Sequence, residues 1–224
     1  MDNEQKIIDS WQANAANWID IIESNGIESR RLVTNKAIID AVCQSKPSSV
    51  LDVGCGEGWL SRELNEKGIA VIGVDVIPEL VEKAKDKVAG NFFVASYEDI
   101  YSGKISFPKL VDAIVINFAL IGKESTENLL ICLPKLLAPT GQLFIQTLYP
   151  DSRKSINDYK SGWKEGSWDG LGEQFSMPYQ WYFRTMEDWL LLIGQSGFTK
   201  IKATEVTHPH SGNPLSVIFE CSVK

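Results

Sequence analysis

Val50-Leu51-Asp52-Val53-Gly54-Cys55-Gly56-Glu57-Gly58 decides the fold of this chain. The apolar run from Ser49 to Val53 has the length of a buried strand and leads straight into three glycines at alternate positions. Leu60 and Leu64 then stand one helical turn apart. Strand, glycine turn and helix form the first unit of a doubly wound α/β sheet. Glycine suits the turn because the backbone reverses sharply there and a ligand can lie against bare main chain. The helix that follows offers unpaired N–H groups to that ligand.

The spacing excludes two phosphate-binding loops. A dinucleotide turn reads Gly-x-Gly-x-x-Gly, its last glycine allowing close helix–strand packing. Trp59 occupies that position here, and Gly58 comes one residue early. A Walker loop ends in Gly-Lys-Ser/Thr, and no lysine follows these glycines.

Outward from the turn, the chain keeps an α/β rhythm. Ile69 to Val74 reads as a second strand ending at Asp75, followed by a helix with Leu80, Val81 and Ala84 inward. Phe92 to Ala95 reads as a third strand. Leu110 to Ile116 is apolar enough to be buried on both faces, and Asn117-Phe118 closes it. A leucine-rich helix follows, which Pro134 bends or shortens. Gly141 then turns the chain into a fifth strand, Leu143 to Leu148. Before the turn, Ile7, Ile8, Trp11, Ala15, Trp18 and Ile22 define one helix over 4–24, closed by Gly26, and a second helix covers 28–44. Residues 150–184 break the rhythm with Gly, Ser and many aromatics, Trp163 to Trp168 and Gln180 to Phe183 reading as pieces of a hairpin. So many rings argue against disorder. Thr185 starts a helix that Gly197 ends, and two strands, Phe198 to Val206 and Leu215 to Val223, complete the chain.

Composition narrows the function. The 224 residues carry a net charge of −7, with 44% hydrophobic and 23% charged residues, which suits a single soluble domain and an ordinary core. No basic cluster supports nucleic-acid binding, the acidic balance disfavours anionic membranes, and no apolar run reaches the ~18 residues of a membrane span. The polar N-terminus is not a signal peptide. Four separated cysteines and two histidines support neither a disulfide framework nor a metal site and imply a reducing cytoplasm.

The joint pattern resembles the class I S-adenosylmethionine-dependent methyltransferases. Four segments carry the resemblance, in the family's order: Val50–Gly58, Gly73-Val74-Asp75, Asp112–Asn117 and Leu136–Leu143. It implies a Rossmann-like, seven-stranded, mostly parallel sheet with an antiparallel C-terminal strand. The whole chain, 1–224, is then one methyltransferase domain. It comprises an N-terminal helical cap (1–47), a cofactor-binding core (48–149), an aromatic lid insertion (150–184), and a C-terminal helix and strand pair (185–224).

The implied cofactor is S-adenosylmethionine, with S-adenosylhomocysteine as product. Its implied contacts are Asp52, Gly54, Cys55, Gly56 and Gly58 at the turn, Asp75 and Val76 at the ribose, Ser96 and Tyr97 near adenine, and Asn117, Phe118 and Arg30 around the methionyl end. Several of these have a plain structural alternative: Asp75 as a helix N-cap, Asn117 as a turn residue, Arg30 and Arg31 as solvated charges. Ser96 stands where the family often has an acid. Trp11, Trp18, Trp168, Tyr179, Trp181 and Tyr182 are candidate acceptor contacts or simply packing residues. The lid has a dimer surface as its alternative, so monomer and homodimer stay open. No catalytic base stands out; His208, His210, Asp169 and Glu173 are candidates beside the lid tyrosines. The implied reaction is methyl transfer to a small organic acceptor. A non-catalytic binding module of the same fold and an NAD(P)-dependent oxidoreductase are the rival readings.

Overall fold

The computed structural model describes residues 2–87, 90–107, 109–153 and 159–223. The chain opens with α1 (Asn3–Ala13), α2 (Ala15–Glu23) and, after a π-helical turn at Arg30–Thr34, α3 (Asn35–Gln44). The alternating core follows: β1 (Ser49–Val53), α4 (Trp59–Glu66), β2 (Ala70–Asp75), α5 (Pro78–Lys87), β3 (Asn91–Val94), α6 (Tyr97–Tyr101), β4 (Val111–Asn117), α7 (Glu124–Cys132) and β5 (Leu137–Leu148). A small hairpin of β6 (Gly162–Lys164) and β7 (Trp181–Phe183) precedes α8 (Met186–Gln195), β8 (Phe198–Thr207) and β9 (Pro214–Val223).

Seven strands form one sheet in the order β3-β2-β1-β4-β5-β9-β8. β1 pairs in parallel with β2 and with β4, so the strand order reverses at β1. β9 runs antiparallel to both β5 and β8. Successive strand residues point to opposite faces, and the core divides accordingly. Leu51, Ile114, Ile116, Ile145 and Phe219 pack with Leu129, Leu130, Trp189 and Ile193 on one face. Val50, Ala113, Val115, Phe144 and Ile218 pack with Ile38, Val42, Leu60 and Leu64 on the other.

Four expectations need correction. The helix expected over 4–24 is two helices. Asn14 is fully buried, leaves helical geometry, and donates from its side chain to the Ser10 and Ser176 carbonyls while accepting from Ser176 N–H. Those bonds to a distant segment outweigh helix continuity. Second, α2 is closed by Asn25 in the left-handed region, not by Gly26; Gly26 N–H reaches back to the Ile21 carbonyl and Asn25 N–H to Ile22. Third, the helix over 28–44 contains the π turn. Fourth, β5 begins at Leu137, because Leu137 pairs with Val111 before the register shifts and Gln142 pairs with Ala113. Pro134 does shorten its helix: α7 stops at Cys132 and a 3₁₀ turn carries Leu133–Leu136. The expected aromatic hairpin is β6 with β7, Trp163 opposite Tyr182; positions 154–158 of that insertion lie outside the described residues.

Candidate active site

A crevice of about 1030 Å³ runs along the carboxyl ends of β1, β2 and β4, where the strand order reverses. Open α/β sheets bind ligands in this position. The glycine turn forms its floor. Gly54, Gly56 and Gly58 all have positive φ, between 56° and 80°, a region costly for any residue with a Cβ. They differ in what they face. A Cβ on Gly54 would overlap that of Ala119. One on Gly56 would meet only the Trp18 indole nitrogen at 3.8 Å, so Gly56 faces the open crevice. Gly58 lies within 2.8 Å of Ala84 through its missing side chain, so it serves helix packing and is not part of the crevice lining.

The acids around the turn are held by burial and by backbone. Asp75 accepts from Gly56 N–H and Ile77 N–H, both at 2.9 Å, so it fixes the turn and starts α5. Burial raises its pKa, and the two N–H donors oppose the rise. Asp52 lies beneath the turn, 1% exposed, and accepts from the Ser61 hydroxyl at 2.7 Å. It does not line the crevice. Burial pushes its carboxyl up to about 7. Cys55 lines the crevice as a buried thiol whose pKa burial raises. Ser96 lines it too, but its hydroxyl is engaged in a capping box with Asp99. Tyr97 donates its hydroxyl to the Ala119 carbonyl at 2.9 Å and so props the residue above Gly54. Val76 and Ile77 complete that side.

At the end of β4, Asn117 leaves its side-chain oxygen buried with no partner. Phe118, next to it, has φ 54°, unusual for a bulky residue, held by its N–H bond to the Gln146 carbonyl at 2.8 Å. Three further polar atoms lining the crevice are buried and unpaired: Arg30 Nη2, Thr34 Oγ1 and Glu57 Oε2. The π turn places Arg30 and Thr34 there, and such turns recur at functional sites. Arg30 lies between the rings of Trp18 and Trp59, 5.6 and 4.8 Å from their centroids. Burial lowers its pKa to about 10, with the Glu57 charge opposing the drop. Glu57, Thr34 and Trp59 were not legible as site residues; only Trp59 had a signal, as the residue that spoils the dinucleotide spacing.

The crevice is roofed by α1 and by residues 166–184 of the insertion. Trp11 donates to the Tyr179 hydroxyl at 3.0 Å, and Trp168 donates to the Ser10 hydroxyl at 2.9 Å. Trp11 sits 5.0 Å from both Trp18 and Trp168, ring centre to ring centre. Trp181 and Tyr182 also line the space, Tyr182 anchored by its N–H to the Ile121 carbonyl. Glu4 of α1 accepts from Lys123 N–H, Ser125 N–H and the Ser125 hydroxyl, capping α7 from a distance. That latch had no signature in the sequence. His208, His210 and Glu173 lie outside the lining, while Asp169 is part of it. Among the described residues no metal-binding cluster occurs, all four cysteines are free, and no helix is long and apolar enough to cross a membrane.

Known proteins agree with this architecture. A family model described as a methyltransferase domain matches residues 28–202. A Xylella fastidiosa protein named ubiquinone biosynthesis O-methyltransferase is 28% identical over 152 residues, 64% of this chain and 59% of that protein. The chain thus spans less than two thirds of that relative's length. Among solved structures, an S-adenosylmethionine-dependent methyltransferase from Clostridium acetobutylicum superposes with a TM-score of 0.65 at 11% identity, covering 93% of this chain and 97% of that one. The Burkholderia thailandensis 1,6-didemethyltoxoflavin-N1-methyltransferase, solved with bound 1,6-didemethyltoxoflavin and S-adenosylhomocysteine, superposes with a TM-score of 0.64 at 16% identity, covering 95% of this chain and 88% of that one. With the family model spanning most of the chain and the glycine-floored crevice at the strand reversal, this protein belongs to the methyltransferase-domain family, the class I S-adenosylmethionine-dependent methyltransferases.

Proposed function

We propose that the chain moves a methyl group from S-adenosylmethionine to a small organic acceptor. The observation that carries this is the set of unpaired buried atoms around the glycine turn. Arg30 Nη2 is a donor without an acceptor; Glu57 Oε2 and Asn117 Oδ1 are acceptors without donors. Such groups are costly to leave unsatisfied. A zwitterionic amino acid matches them: its carboxylate suits the guanidinium and its ammonium suits the two oxygens. Asp75 has lone pairs beyond those its two backbone donors use and suits a ribose. The residues present therefore fit the family's cofactor.

Bound there, the cofactor supplies an electrophilic methyl on a sulfonium. The protein's part is placement. Gly56 lets the ligand approach the backbone, Phe118 presents a ring at the end of β4, and the roof excludes water, a competing nucleophile. A crevice of about 1030 Å³ is at the upper end of the roughly 300–1,000 Å³ typical of ligand sites, enough for cofactor and acceptor together. The size of the space and its ring-lined roof support a small acceptor, and the Burkholderia neighbour acts on one. The domain reads as one unit in a monomer or homodimer. Calorimetric titration with S-adenosylhomocysteine tests the reading: binding that Asp75→Ala and Asn117→Leu each weaken supports it, and no binding overturns it.

A further inference from the structure

The part of the crevice walled by α1, the insertion and the start of α7 is chemically one-sided. Among the described residues, Arg30 and Arg184 are the only cations that line the crevice. Arg30 belongs to the glycine-turn side. Arg184 is already committed to protein partners: it donates to the Gly122 and Lys123 carbonyls at 3.1 and 3.0 Å, pairs with Glu127 at 3.5 Å, and lies over the Tyr182 and Trp189 rings. Among the described residues, an anionic acceptor would find no uncommitted cation to meet it. Asp2, Glu4, Glu124 and Asp169 line the same part, so a negative acceptor would also be repelled.

The same walls are poor in bases. Among the described residues no histidine lines the crevice; His208 accepts from His210 and Ser211 N–H in the β8–β9 turn. The Tyr179 hydroxyl is buried, accepts from Trp11, and holds its proton far above the usual range because burial disfavours the anion. The Tyr97 hydroxyl is committed to Ala119. Burial and Glu205 push Tyr149 up to about 12. Glu4 already accepts three hydrogen bonds, and Glu124 pairs with Lys123 at 3.1 Å. Meanwhile Trp11, Trp168, Tyr179, Trp181 and Tyr182 present rings, whose faces attract positive charge.

Resting on the methyl-transfer reading above, we propose that the acceptor is a flat, uncharged heteroaromatic compound methylated on a ring nitrogen. The nitrogen lone pair forms the new N–CH₃ bond, the S–CH₃ bond breaks, and its electron pair returns to sulfur. Positive charge passes from sulfur to the ring nitrogen, and no proton moves. The step itself needs no base, and the carboxylates, Asp169 among them, and ring faces of the site favour the cation that forms. A phenol would need its proton removed.

Three bicycles of one shape separate the possibilities: isoquinoline, 2-naphthol and 2-naphthoate. Full-length protein loaded with S-adenosylhomocysteine is titrated with each, following tryptophan emission, and each is incubated with protein and methyl-labelled S-adenosylmethionine. The expected result is isoquinoline binding at least tenfold tighter than 2-naphthoate, with label on its nitrogen and none on the naphthol oxygen. Naphthoate binding as tightly, label on naphthol, or no label on isoquinoline would overturn the proposal. Failure of S-adenosylhomocysteine itself to bind would instead overturn the methyl-transfer reading beneath it.

Discussion

Asp52→Asn should stabilise the fold at alkaline pH and leave it unchanged in acid. The carboxyl is 1% exposed, accepts one hydrogen bond from Ser61, and has its pKa pushed from 3.8 to about 7 by burial. A group whose folded pKa exceeds its unfolded one contributes stability that is fully present below the unfolded value, about pH 4, and lost as pH rises through the folded value, about pH 7. At roughly 1.4 kcal/mol per pKa unit, the loss is at most on the order of 4 kcal/mol. Water entering the turn on ionisation lowers this, so about 2–4 kcal/mol is expected at pH 8. Asparagine retains an oxygen for Ser61 and cannot ionise. Urea unfolding of both proteins from pH 4 to pH 8 gives the difference directly, and taking a difference cancels most of the dependence due to Asp75 and Glu57. A difference that stays flat, or one that turns against the variant as pH rises, would refute the assignment of a desolvated carboxyl beneath the glycine turn.

Asp75→Ala should weaken S-adenosylhomocysteine binding by about 1–3 kcal/mol, the scale of hydrogen bonds to a charged group, in calorimetry. Gly54→Ala combines a left-handed φ with overlap on Ala119 and should cost about 2–4 kcal/mol in thermal or urea unfolding. Gly68→Ala, with φ +81° but nothing within 4 Å, should cost only the backbone strain, about 1–2 kcal/mol; equal costs would show that Ala119 does not matter. Glu4→Ala removes the cap on α7 and should cost about 1–3 kcal/mol, with faster amide exchange in α1. Unchanged exchange there would mean that α1 is held without the latch.

The sheet was legible because its determinants are local. Near-continuous apolar runs along β1 and β4, the three glycines, Asp75 and the Thr185 cap each announce themselves within a few residues. What escaped depends on partners far along the chain. Asn14 breaks a helix because Ser176 lies beside it, and Glu4 caps a helix that starts at residue 124. The same holds within the site. Asp52 and Gly58 sit in the expected motif, yet Ser61 and Ala84 draw them toward the support of the turn. Arg30 and Glu57 show their unpaired atoms only once the π turn and the glycine turn are brought face to face.

The tryptophans of the roof make the protein its own reporter. Trp11 has neighbours at 5.0 Å on two sides, one on α2 and one on the insertion, near enough for their excited states to mix. A closed roof therefore carries an exciton couplet in circular dichroism that no isolated indole would give. Its fading would time the parting of the two segments, with no label attached and no residue changed.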